Sequence, residues 1–182
     1  MPFIFRLVTI SGLFLWILLL NGCSSTLPYA DDDVVAVVRG EEITIRDLRF
    51  LYPDDEVLDK IEYSIQERLV IQEAKRMNLD VTEQLEESLP IYPDDEDHSE
   101  WANAVREFAE SQANKLGMEP REYYEQYHRK LNESSLYQNQ YFHEVLGEPH
   151  EEDSEVYEEL AYQLMNDLMS MYADEIEIYI KP

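Results

Sequence analysis

Five apolar, mostly β-branched residues run from Val34 to Val38 between Asp33 and Gly40, a pattern that predicts a short buried strand. The polar residues Arg39 to Glu42 then turn the chain into Ile43, and Thr44 stands where it can cap a helix beginning near Ile45. From about Asp55 to Met77, Leu58, Ile61, Ile65 and Leu69 recur at helical spacing, with Val70, Ala74 and Met77 widening the stripe. A long helix is expected there. Asn78 suits a left-handed C-cap, and Thr82 opens a further short helix. The acidic stretch Pro93 to Asp97 breaks the periodicity, after which Asp97 and Glu100 resemble a capping box ahead of Trp101. Helices are expected from about Ser99 to Leu116 and Pro120 to Leu146, with Gly117 between them and Pro120 in a first turn. A last helix spans about Ser154 to Tyr172. Beyond it the period drops to two, so Ile176, Ile178 and Ile180 should face one side of a closing strand. Its simplest partner is Val34 to Val38. The pattern as a whole predicts a mainly α, multi-helix domain with a small sheet formed by an N-terminal and a C-terminal strand.

The segment before this domain has a different character. Arg6 precedes an apolar stretch from Leu7 to Leu20, which leads through Asn21 and Gly22 to Cys23, the one cysteine in the chain. A positive start, an apolar run of roughly 7 to 15 residues and small residues at the cut are the parts of a secretory signal. The expectation is therefore a bacterial lipoprotein signal peptide over residues 1–22, with Cys23 lipidated and residues 23–33 forming a tether to the domain at residues 34–182. A short membrane helix or a buried free cysteine is the plainer alternative, but a span needs ~20 apolar residues. Lipidation places the protein on the extracytoplasmic face of the cell membrane, with diacylglyceryl chemistry at Cys23 as the anchor.

Charge narrows the partners. Asp and Glu number 40 against 14 Lys and Arg, giving a formal net charge of -26. Such a surface repels phosphates and anionic head groups, so nucleic acid is not an expected partner. Contact with the membrane must come from acyl chains instead. With one cysteine, no disulfide framework is expected either.

Two segments carry a family resemblance. Val35-Ala36-Val37-Val38-Arg39-Gly40-Glu41-Glu42-Ile43-Thr44 resembles the opening of the SurA- and PrsA-type extracytoplasmic chaperones, where a strand is followed by a small turn, an Ile and a capping Thr. Leu69 to Thr82 is similar to the family's helix end, in which a Glu-Ala-Lys segment leads into a short turn and a Val-Thr helix start. Weaker likeness continues through Leu116 to Tyr124 and in the closing strand. Arg39 stands where Asn is usual before Gly, which leaves the turn type open, and Asn78 stands where Gly is common. The resemblance implies a peptide-binding chaperone core whose partners are unfolded or newly secreted polypeptides. Enzymatic members carry a parvulin prolyl isomerase domain before the closing helix. Here only Gly147 to Asp153 separates the two helices, so a binding module without catalysis is expected. An envelope- or spore-associated lipoprotein that recognises one specific partner is the alternative.

Candidate chemistry adds little. His98, His128, His143 and His150 show no pair at metal-ligand spacing, and no catalytic residue, metal or cofactor is nominated. With 13 Tyr, 6 Phe and 6 Met the chain has material for an aromatic groove. Tyr123, Tyr127, Tyr137 and Tyr141 lie near one another in helical angle and are the candidate polypeptide-binding residues, although such a stripe is more often a buried helix face than a binding surface. Tyr52-Pro53-Asp54-Asp55-Glu56 recurs as Tyr92-Pro93-Asp94-Asp95-Glu96. Each copy precedes a helix, where acids complement the positive end of the dipole, and carboxylate oxygens leave a calcium contact as the other reading.

Overall fold

A computed structural model describes residues 27–149 and 154–181. Cys23, the signal segment and His150 lie outside the described residues. The molecule is mainly helical with a small antiparallel sheet, as the periodicity predicts. Strand β1 is Val34–Val38, and β2 is Glu41–Thr44. The helices are α1 (Ile45–Leu51), α2 (Ile61–Arg76), α3 (Thr82–Ser88), α4 (Glu100–Leu116), α5 (Pro120–Leu146) and α6 (Ser154–Met171), and β3 (Ile176–Ile178) closes the chain.

The sheet has three strands in the order β2-β1-β3, one more than the sequence pattern predicts. Glu41 to Thr44, expected as part of a turn and helix entry, pairs with β1 in a hairpin with Val38 opposite Glu41. Arg39 and Gly40 form its two-residue turn, at φ 50° and 84°. Positive φ at both central positions is the type I′ geometry that matches the twist of the strands. Arg39 therefore occupies a left-handed position of the turn. What holds Arg39 in the left-handed region is its side chain: the guanidinium is 2.7 Å from Glu73 on α2 and lies 4.1 Å from the Tyr172 ring centroid.

Pairing of β1 with β3 sets Ala36 opposite Ile178 and Val38 opposite Ile176. The expected facing of the three isoleucines is corrected here. Ile180 is buried, Ile176 is half-buried and Ile178 is 41% exposed. Tyr179 and Ile180 both donate their backbone N–H to the Val35 carbonyl, so the chain leaves the ladder after Ile178 and the strict alternation stops.

One other boundary differs from the periodic reading, and one cap is Ser99 in place of the expected Asp97. The helix expected from Asp55 starts at Ile61, after a 3₁₀ turn over Leu58–Lys60. Asp54 is held by Arg49 and by Lys115, which pins the chain across α1 and α4 before α2 can begin. Helix α4 is capped by Ser99, whose hydroxyl accepts from the Ala102 N–H, while Asp97 accepts from the Ser99 N–H one step earlier. Elsewhere the local rules hold. Thr44 and Asp47 form a reciprocal capping box on α1. Asn78 adopts φ 61°, and the bonds Leu79 N–H to Ala74 O and Asn78 N–H to Lys75 O complete a Schellman ending for α2.

The main core lies between the sheet and α2, α5 and α6. Val35, Val38, Ile45, Ile65, Leu69 and Val70 are fully buried in it. The domain also begins earlier than the expected tether implies, since Leu27 and Tyr29 pack against this core and the Asp31 carbonyl accepts from the Arg46 N–H. A satellite cluster of Phe50, Ala113, Leu116 and Tyr123 joins α1, α4 and α5.

Candidate functional site

Helix α2 buries its apolar stripe against the sheet and turns a second face toward α5. On that second face Ser64, Glu67, Arg68, Ile71 and Lys75 recur at three- and four-residue steps, so they stack along one side. Together with β2, α1 and the middle of α5 they enclose a groove of about 200 Å³. Ile43, Leu48, Leu51, Ile71 and Leu131 supply its apolar walls. Such a volume is below the ~300–1,000 Å³ of typical small-molecule sites, and it suits a side chain better than a whole cofactor.

Most charges around the groove are matched. Arg68 lies 2.8 Å from Glu41, Lys130 3.5 Å from Asp47 and Lys75 3.6 Å from Glu133. The Arg68 hydrogen bond holds the Glu41 carboxyl below its ordinary value. Burial raises that of Asp47, but the Thr44 hydroxyl and backbone N–H, with Lys130 nearby, outweigh it and the net shift is downward.

Glu67 is different. Its Oε1 accepts from the Ser134 hydroxyl and, at 3.5 Å, from the Gln138 amide. Neither donor is charged. Burial pushes its carboxyl up, and the Ser134 bond with the fields of Arg68 and Lys130 only partly offset that cost. Ser64, one turn before Glu67, is 7% exposed, and its hydroxyl has no hydrogen-bond partner among the described residues. The Tyr52 hydroxyl is near enough for Ser64 to ease its ionisation, yet it is not in bonding geometry with it. Burial first, then the charge of Glu67, pushes Tyr52 up to about 12.

The four tyrosines chosen from the sequence are not gathered into one surface. Tyr123 is 1% exposed, its ring 5.1 Å from Phe50 and its hydroxyl donating to the Phe50 carbonyl at 3.1 Å. Tyr141 belongs to the main core. Only Tyr127 and Tyr137 are half-exposed: Tyr127 stacks on Tyr123 and meets Phe108 edge-on at 5.4 Å, and Tyr137 carries Lys75 5.0 Å above its ring. With 1.5 Å of rise per residue, Tyr123 and Tyr141 stand about 27 Å apart along α5. The groove residues Lys130 to Ser134 lie between the two pairs. Tyr127 sits one turn before the groove residue Leu131 on α5, with the exposed Phe108 of α4 against its ring.

Sequence reading overlooked Ser64 and Glu67. Ser64 falls inside the stripe set by Ile61 and Ile65, and a hydroxyl at such a position is a legible anomaly. Glu67 has no comparable signal, being one acid among 40.

A second groove, about 470 Å³, lies between the 89–92 segment and the start of α5. Its Arg129 is paired with Glu86, Arg121 lies over the Tyr92 ring, and no unpartnered buried polar atom lines it among the described residues. The repeated acidic segments also have structural partners. Asp54 is salt-bridged, and the Asp94 carbonyl accepts from Arg106. Among the described residues no group of three His, Cys, Asp or Glu is placed to hold a metal ion. No described helix is long and apolar enough to cross a membrane. Compared with known proteins, the chain matches no family model, no curated protein and no solved structure.

Proposed function

We propose that this protein is a lipid-anchored, extracytoplasmic member of the SurA- and PrsA-type chaperone group, one that binds unfolded or newly secreted polypeptides without catalysis. The observation that supports this reading best is the groove between α2 and α5. It has apolar walls and a rim of mostly matched charges. An extended chain needs such a surface: apolar contact that tolerates many sequences, with polar groups that fix its path. The short connection from Gly147 to Asp153 supports a binding role in place of prolyl isomerisation.

The test is aggregation of a chemically unfolded client followed by light scattering, with a prolyl isomerisation assay in parallel. The full chain in phosphatidylcholine nanodiscs should slow aggregation at stoichiometric ratios and leave the isomerisation rate unchanged. Failure to slow the aggregation of any of several unrelated clients would overturn the proposal. In that event the exposed Val156 and Leu160, one turn apart on α6, support the second reading, a lipoprotein docking on one specific envelope or spore protein. A crosslinking pull-down from membranes then yields a single stoichiometric partner.

A further inference from the structure

Within the groove one polar site is incomplete. Glu67 Oε1 is occupied by Ser134 and Gln138, whereas Oε2 has no partner among the described residues. One turn away the Ser64 hydroxyl is buried and also has no partner. A buried polar atom without a hydrogen bond costs about 1–3 kcal/mol, a cost that a donor bound in the groove would recover at Ser64. The neighbouring charges sharpen this. Glu41, Asp47 and Glu133 each face a cation, while the acceptors of Glu67 meet only neutral donors.

We propose, resting on the polypeptide-binding reading, that the groove between α2 and α5 is a pocket for a lysine side chain of the bound polypeptide. Its ammonium donates to Glu67 Oε2 and Ser64 Oγ, and its stem lies along Ile71 and Leu131. Lysine is preferred to arginine because a guanidinium binds best to both oxygens of a carboxylate, and Oε1 is already engaged. An ammonium is a point charge that needs separate acceptors, and its four-carbon stem gains from apolar walls. Arg68, Lys75 and Lys130 also face the pocket, but Glu41, Glu133 and Asp47 respectively neutralise them.

The experiment uses the full chain in phosphatidylcholine nanodiscs and a blocked pentapeptide, Ser-Leu-Xaa-Leu-Ser, in which Xaa is lysine, arginine or norleucine. Lysine should bind about tenfold more tightly than norleucine and more tightly than arginine. The preference should persist at 1 M salt, where the Debye length falls to about 3 Å and the general attraction of an acidic surface is screened. Glu67→Gln should erase the preference for lysine over norleucine, and Ser64→Ala should reduce it.

Equal binding of lysine and norleucine peptides would overturn the pocket while leaving polypeptide binding intact, as would an arginine preference or a lysine preference lost at 1 M salt. Absence of binding by any of the three would overturn both readings together. A measurement on the unaltered protein guards against variants that fail to fold. A peptide labelled with ¹⁵N at the lysine ammonium should show nuclear Overhauser contacts to Ile71 or Leu131 methyl groups, and their absence from the bound spectrum would overturn the assignment.

Discussion

Glu67 and Glu73 occupy the same helix, and burial opposes the charge on both, yet they titrate in opposite directions. Around Glu73, Arg76, Tyr172 and Arg39 all donate to the carboxylate, and together they outweigh burial so that its pKa is lowered. A depressed carboxylate stabilises the fold above its unfolded value of about 4.3, and that contribution is lost as pH falls through the folded value. Glu73→Gln should therefore destabilise the protein by about 2–3 kcal/mol at pH 7, with the gap to the parent closing in acid. Glu67 is raised, chiefly by burial, so its ionisation opposes folding at neutral pH. Glu67→Gln should raise the melting temperature at pH 7, and the advantage should vanish as pH drops below about 4.3, where the parent carries a neutral carboxyl too. Melting curves of both variants between pH 3 and 7 check the two signs. Glu73 is legible from the sequence as an acid inside the stripe of Leu69 and Val70. Glu67 is not, because its surroundings come from α5, more than sixty residues away in the chain.

Elements whose own residues carry the signal were legible before the structure. Helices α3 to α6, the Asn78 and Gly117 endings and the pairing of β1 with β3 follow from local periodicity and capping chemistry. Strand β2 does not. Glu41-Glu42-Ile43-Thr44 has one strongly apolar position, and its strand geometry comes from β1 beside it and from the Arg39-Gly40 turn. The late start of α2 is equally non-local, set by the ion pairs of Asp54 with Arg49 and Lys115. At this scale the third prediction concerns β3. Truncation after Ala173 removes the buried Ile180, the half-buried Ile176 and the ladder to Ala36 and Val38. Ile180 alone is worth roughly 1.5–3 kcal/mol, so the truncated chain should lose several degrees of melting temperature or more. An unchanged transition by circular dichroism would contradict the packing of β3.

Taken whole, the molecule is an acidic body with a net charge of -26. Cationic unfolded clients should associate faster than anionic ones, and the difference should shrink with salt over a Debye length of ~8 to 10 Å. Stopped-flow association at two ionic strengths tests this without reference to any one pocket. The anchoring expectation is tested on the cell: Cys23→Ala should release the protein from the membrane or leave an uncleaved precursor, and labelled fatty acid entering that variant would contradict lipidation at Cys23.

The order of strands in the sheet also imposes an order in time. Among the described residues, strand β1 precedes every helix, yet one of its two flanks is filled by β3, which follows all six of them. While the chain is being synthesised the central strand can form its hairpin with β2 at once, but its other edge stays open until residues 176–180 arrive. An open edge pairs with whatever extended chain is near. Timely arrival of residues 176–180 thus separates correct closure from entanglement with a neighbouring chain. Nascent chains arrested before Ile176 should therefore bind exogenous β-strand peptides along β1, and chains released past Ile180 should not.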